Sequence, residues 1–153
     1  MSMSEYPDED AGAKTPERQE NANSKLILIV EDDRLSMTLL SDFLNAHVYR
    51  VLKASEGSEA INLARDEQPD LILMDIRLPG ISGFDATRLL KQDNRTKAIP
   101  VIAVTAFATP GDETTALESG CAAYITKPVN VDELLRTIGS FLSASPPATN
   151  SPR

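Results

Sequence analysis

The stretch "DLILMDIRLPGISGFD", Asp70 to Asp85, decides how the chain is read. Its strand-like run "DLILM" (Asp70 to Met74) carries four apolar residues straight into a carboxylate, Asp75, and the Pro79-Gly80 pair breaks the chain soon afterwards. A short apolar run bounded by turn residues predicts a strand buried on both faces, as in a parallel sheet. A charge is costly to desolvate. Asp75 therefore either opens a turn, or the strand delivers a reactive carboxylate to a crevice at the edge of the sheet.

Outward from this stretch, four more strand-like runs alternate with amphipathic segments: "LILIV" (Leu26 to Val30), "YRVLKA" (Tyr49 to Ala54), "VIAVT" (Val101 to Thr105) and "AAYIT" (Ala122 to Thr126). The second is the least apolar and predicts an edge. Helical spacing places Leu35, Leu39, Leu40, Phe43 and Leu44 on one face, as it does Ala60, Ile61 and Ala64, then Phe84, Leu89 and Leu90, then Leu134, Leu135, Ile138 and Leu142. The segment from Asp112 to Ser119 is weakly apolar, anchored by Ala116 and Leu117. Repeated strand and helix units predict an α/β fold with right-handed crossovers. Five strands suit a doubly wound parallel sheet in the flavodoxin-like order 2-1-3-4-5, whose crevice lies at the carboxyl ends of strands one and three.

The 153 residues, 41% of them hydrophobic, suit one domain with one core. A net charge of −8 argues against a nucleic-acid or anionic-membrane surface and favours protein partners or a bound cation. One cysteine, Cys121, and one histidine, His47, exclude an internal disulfide and the common zinc sets, which fits a reducing cytoplasm. No run approaches the roughly 20 apolar residues of a membrane span, and the acidic start "MSMSEYPDED" does not resemble a signal peptide. Residues 1–24 read as a disordered acidic tail, 25–142 as the folded domain, and 143–153, "SASPPATNSPR", as a second disordered tail with no output domain after it.

The crevice collects chemistry. Strand one ends in Glu31, Asp32 and Asp33, and strand three ends in Asp75. Acids gathered this closely repel one another unless a cation sits among them, and an oxygen-only cluster suits Mg²⁺. Asp33 is better read as the cap of the helix that starts near Arg34. Thr105 ends strand four with a hydroxyl, Ala106 leaves its backbone N–H approachable, and Lys127 ends strand five with an ammonium. A carboxylate nucleophile with a cation, a hydroxyl and a lysine can take, hold and neutralise a phosphoryl group. Taken singly, a strand-end threonine reflects β-propensity and a lysine before proline a solvated loop.

These residues carry a resemblance. "LIVEDD", "LILMDIRLPGISGFD", "VIAVTAFA" and "GCAAYITKP" are similar to the receiver domain of two-component response regulators, in order and with the usual spacing, over roughly Lys25 to Leu142. "VTAFATPGDE" and "AYITKP" resemble the DivK group of single-domain regulators. The resemblance implies a CheY-like fold and a phosphoacceptor at Asp75. It further implies Mg²⁺ held by Glu31, Asp32, Asp75 and the carbonyl of Arg77, and phosphoryl contacts from Thr105, Lys127 and the N–H groups of Ile76 and Ala106. Tyr124 falls at the aromatic switch position that moves with Thr105, and the Lys127–Pro128 bond is cis in the family. The implied partners are a sensor histidine kinase or a histidine phosphotransfer protein and a downstream protein target, with neither nucleic acid nor membrane insertion.

Helix one, around Leu35 to Leu39, is the expected donor-docking face, and helix four, strand five and helix five the expected output face, with Tyr124 at its centre. Arg77 reads as solvated, His47 and Val48 as an unusual glycine-free turn, and Cys121 and Met74 as core. A haloacid-dehalogenase-type phosphatase would carry aspartate where Arg77 stands, and a flavodoxin-type protein would carry Ser, Thr and Gly where "EDDRLS" stands. A phosphorylation-independent pseudo-receiver would lack an acid or the lysine. A receiver cut from a hybrid kinase, or an intermediate phosphorelay carrier, is the alternative within the same class.

Overall fold

The computed structural model describes residues 24–106 and 109–142. The expected tails lie outside the described residues, apart from Ser24, whose carbonyl accepts from the Arg50 guanidinium at 2.9 Å. Ten elements alternate: β1 (Leu26–Val30), α1 (Arg34–Ala46), β2 (Arg50–Ala54), α2 (Gly57–Glu67), β3 (Leu71–Met74), α3 (Gly83–Gln92), β4 (Val101–Thr105), α4 (Pro110–Ser119), β5 (Ala123–Thr126) and α5 (Val131–Leu142). All strand pairs are parallel, and the sheet order is β2-β1-β3-β4-β5. This is the expected doubly wound order 2-1-3-4-5, with both β2 and β5 at edges.

Side-chain alternation along each strand divides the core into two layers. Leu28, Val30, Ile72, Met74, Val101 and Ala103 face Ala60, Ala64, Ala86, Leu90 and Ala116 of α2, α3 and α4. Ile27, Ile29, Leu71, Leu73, Ile102 and Val104 face Leu40 and Leu44 of α1 and Leu134, Ile138 and Leu142 of α5. Cys121 and Met74 are buried, as expected.

Three helices bury less than their spacing predicts. Leu35 and Leu39 are 66% and 61% exposed, while Leu40 and Leu44 go into the core. At about 100° per residue, the apolar arc from Leu35 to Leu44 spans roughly half the helix circumference, and the sheet covers only one side of it. In α3 and α4, Leu90 and Ala116 are buried while their neighbours Leu89 and Leu117 are exposed. Adjacent helical residues point about 100° apart, so a narrow contact accepts only one of each pair.

The turn after α1 departs from glycine preference. The N–H of Tyr49 donates to the Leu44 carbonyl at 3.1 Å and that of Val48 to the Asn45 carbonyl at 3.2 Å, the paired bonds of a Schellman cap. Val48 has φ of 64°, a conformation in which a β-branched side chain crowds the backbone. Because Val48 is exposed, little packing is lost on truncation. Val48→Gly is therefore expected to stabilise the fold by about 1 kcal/mol, read from the urea midpoint at unchanged m-value. A fall in the midpoint would mean that the valine side chain matters more than its strain.

Candidate functional site

Backbone pairing continues past the strand ends and fixes the acids at the sheet edge. The Asp75 N–H donates to the Val30 carbonyl at 3.0 Å, and the Glu31 N–H donates to the Ala54 carbonyl at 3.0 Å. On the far side, the Lys127 N–H donates to the Thr105 carbonyl at 2.8 Å. The Lys127–Pro128 peptide is cis, as the resemblance implied. Four strand ends thus meet along one crevice.

Glu31, Asp32 and Asp75 each offer a carboxylate oxygen, and these atoms lie within 4.8 Å of one another. Glu31 and Asp75 are buried, and Asp32 is exposed. Asp33 stands apart as the cap of α1, its Oδ2 accepting from the Ser36 N–H at 2.9 Å. That bond holds its carboxyl below the usual carboxylate range.

Asp75 is held between opposing influences. One oxygen accepts from the Arg77 N–H at 3.1 Å, and Lys127 Nζ stands 3.6 Å from the other. Burial and then the neighbouring charge of Glu31 push its carboxyl up to about 6, against the opposing pull of Lys127 and the Arg77 N–H. Burial and the Glu31 charge thus disfavour the ionised form of Asp75 even with Lys127 beside it. A hard cation that takes oxygen ligands and keeps several waters favours that form, so the three carboxylates could hold a metal.

Lys127 makes its tighter contact elsewhere, with Glu31 Oε1 at 2.5 Å. Burial alone would lower its pKa, but the Glu31 and Asp75 carboxylates outweigh burial and raise it. Thr105 is fully buried, paired with Thr126 across β4 and β5, and Ala106 is exposed just beyond it. Ile76 is buried and Arg77 exposed. Tyr124 is half-buried and packs on the α2–α3–α4 layer, where burial and then Asp112 and Glu113 of α4 raise its phenol. It thus sits on the α4 side of β5.

The sequence reading missed two features. Gly83, the first residue of α3, lies against the acid's own backbone: a Cβ there would stand 2.2 Å from the Asp75 carbonyl oxygen. The sequence signal was a glycine directly after the Ser82 cap. The second is a groove of about 730 Å³ beside the cluster, with Leu39, Leu40 and Phe43 of α1 on one wall and Lys127, Val129 and Val131 on the other. Its signal was the surplus width of the α1 apolar arc.

A family model described as the response regulator receiver domain matches residues 27–139, and the chain belongs to that family. Polar-differentiation response regulator DivK of Brucella anthropi is 49% identical over 118 residues, 77% of this chain and 96% of that protein. The DivK of Brucella ovis is also 49% identical, over 119 residues, 78% of this chain and 97% of that protein. The chain is thus a receiver homologous to a single-domain response regulator. Among solved structures, the receiver domain of a sensor histidine kinase from Pseudomonas aeruginosa PAO1 has a TM-score of 0.74 at 34% identity, over 78% of this chain and 98% of that one. That structure carries a magnesium ion coordinated in its active site cleft. The chemotaxis protein CheY4 of Vibrio cholerae has a TM-score of 0.73 at 25% identity, over 78% and 99% of the two chains. Among the described residues, no helix is long and apolar enough to cross a membrane.

Proposed function

We propose that this receiver accepts a phosphoryl group on Asp75 from a phosphohistidine and signals through phosphorylation-dependent binding of a protein target. The observation that carries this reading is the meeting of a buried carboxylate of raised pKa with two further acids and Lys127 at the ends of neighbouring parallel strands. In the transfer, an Asp75 oxygen attacks phosphorus, an O–P bond forms, the N–P bond breaks, and its electron pair returns to the donor imidazole. Hydrolysis reverses the acceptor's state: water attacks phosphorus, and inorganic phosphate leaves the Asp75 carboxylate.

Mg²⁺ is the cofactor that suits the cluster, held by Glu31, Asp32, Asp75 and the Arg77 carbonyl, and it would neutralise charge on the phosphoryl oxygens. Lys127, the Thr105 hydroxyl and the N–H groups of Ile76 and Ala106 are assigned to the same oxygens. Such a transfer depends on position and charge more than on covalent help. Thr105 and Tyr124 are the switch pair: the register sets Ala103 beside Tyr124 and Thr105 beside Thr126, so both residues lie on the α4 face of the sheet, with Thr105 at the crevice end. An output surface of α4, β5 and α5 follows, placed in the cytoplasm by the donor it needs. The domain is assigned to residues 25–142, flanked by tails.

The donor face is assigned to α1. The exposed Leu35 and Leu39 stand beside the groove whose other wall ends at Lys127, so an apolar helix of a phosphotransfer partner could cover them and bring its histidine to the acids.

Radiolabelled transfer from a phosphorylated histidine phosphotransfer protein tests the reading. Wild type should take label only with Mg²⁺ present. Asp32→Asn should raise the Mg²⁺ concentration needed for half-maximal transfer by about tenfold or more, since changes even outside the ligand shell cost that much. Equal labelling in excess EDTA, or an unchanged Mg²⁺ requirement in Asp32→Asn, would refute the cation assignment.

A further inference from the structure

Two of the groups assigned to the cation, the Asp75 carboxylate and the Arg77 carbonyl, follow the end of β3 but are held differently. The Asp75 backbone is fixed by its N–H bond to the Val30 carbonyl on β1. Arg77 lies farther out, in the loop that runs from β3 to α3. That loop turns at Gly80, whose φ of 78° is left-handed, and Leu78 and Ile81 pack back onto the α2–α3–α4 layer.

Ile81 reaches a particular place in that layer. Gly57, the first residue of α2, is buried, and a Cβ on it would stand 2.7 Å from Ile81 Cγ1, 3.0 Å from Ile81 Cδ1 and 3.2 Å from Ala86 Cβ. Ile81 therefore fills the space that a larger residue at position 57 would need. The start of α2 follows closely on β2, whose Ala54 carbonyl accepts from the Glu31 N–H at 3.0 Å. The seat thus refers the loop to the part of the sheet that holds Glu31, and the depth of Ile81 sets the spacing between the Glu31 carboxylate and the Arg77 carbonyl.

That spacing discriminates between ions. Mg²⁺ demands near-octahedral ligands at about 2.0–2.1 Å, whereas Ca²⁺ accepts about 2.3–2.6 Å in flexible geometry. A carbonyl pinned by packing suits the first ion, and a loose or displaced one favours the second. We propose that Ile81, seated on Gly57, is a specificity-determining positioning residue: it holds the β3–α3 loop at the depth that lets the Arg77 carbonyl and the acids close on a small divalent cation in preference to a larger one. The inference rests on the cation reading of the acid cluster.

The Ile76 amide resonance of the full chain, titrated with Mg²⁺ and separately with Ca²⁺, tests it. Ile81→Ala empties the seat. Gly57→Ala fills it from the other side, in helical backbone that alanine adopts freely, and neither change alters charge. Each single variant should weaken Mg²⁺ binding about tenfold, as loss of support outside the ligand shell does, and Ca²⁺ binding much less, so the Mg²⁺-to-Ca²⁺ affinity ratio falls several-fold. The double variant should lose no more than the weaker-binding single one, because both changes act on one contact. Ile99→Ala truncates the same layer just before β4, at the end of the sheet away from the acids. It should lower the urea midpoint and leave the affinity ratio at the wild-type value, which a merely structural role for Ile81 would also do. An unchanged ratio in both single variants, losses that add in the double variant, or an equal fall of the ratio in Ile99→Ala would overturn the proposal. A wild-type Ile76 amide that does not respond to Mg²⁺ would overturn the cation reading itself, and the selectivity with it.

Discussion

Asp75→Asn is expected to melt well above wild type near neutral pH, even though it removes the assigned acceptor. Burial and the Glu31 charge push the Asp75 carboxyl up from 3.8 to about 6. Its folded-state pKa therefore lies above the unfolded value, and the ionised form is disfavoured in the fold. Above about pH 6 both states are ionised and the penalty is fully present; below about pH 4 both are protonated and it is gone. Keeping the side chain ionised at neutral pH costs the fold roughly 2–3 kcal/mol. Asparagine fills the same space without the charge, so the melting temperature should rise on the order of 10 °C. The gap should close as pH falls toward 4. Saturating Mg²⁺ should narrow it too, because a ligand that binds the native wild type stabilises it by mass action. A variant that melts at or below wild type at neutral pH would show that the Lys127 and Arg77 N–H contacts outweigh burial at Asp75.

The second large effect concerns Gly83. The Gly83 N–H donates to the Ile76 carbonyl at 2.9 Å, which draws the start of α3 onto the loop that carries the acid. A Cβ at this position would stand 2.2 Å from the Asp75 carbonyl oxygen and 2.8 Å from Ile76 Cα. Neither atom belongs to a flexible side chain that could swing away. Gly83→Ala must therefore push α3 outward or displace the backbone at Asp75 and Ile76. A loss of about 2–4 kcal/mol is expected from overpacking against backbone. Mg²⁺ affinity should fall as well, since the Asp75 carboxylate moves with its backbone. Urea midpoints and a Mg²⁺ titration report the two effects separately. A midpoint within about 0.5 kcal/mol of wild type, the range of a neutral surface change, would mean that the loop yields freely.

The contrast between these residues shows which parts of the molecule were legible in sequence. The order of elements was, because β1, β3 and β4 are buried on both faces and therefore continuously apolar, while β2 is half-exposed. The acid edge was legible for the same reason, since Glu31 and Asp75 each follow directly on an apolar run and Asp32 comes next after Glu31. Strand limits moved inward by one residue at Tyr49, Asp70 and Ala122. Periodicity could not say how much of an apolar arc the sheet would cover. Leu35 and Leu39 share the α1 arc with Leu40 and Leu44, yet only the latter pair meets β1 and β3, and the uncovered side became a groove wall. Nor does a linear pattern reveal which acid holds Lys127, because Glu31 and Lys127 are 96 residues apart and meet only once the sheet is assembled. Gly83 belongs to the same class: its closeness to Asp75 depends on the angle at which α3 leaves the loop.

Chemical trapping of the acylphosphate tests the phosphoacceptor assignment most directly. Wild type treated with acetyl phosphate and Mg²⁺, then reduced with borohydride, converts a phosphorylated aspartate into a stable alcohol whose mass marks the residue in a peptide digest. The mark should fall on Asp75 alone and be absent from Asp75→Asn. A mark on Asp32, Asp33 or Glu31 in wild type, or an undiminished mark in Asp75→Asn, would contradict the assignment of Asp75 as acceptor.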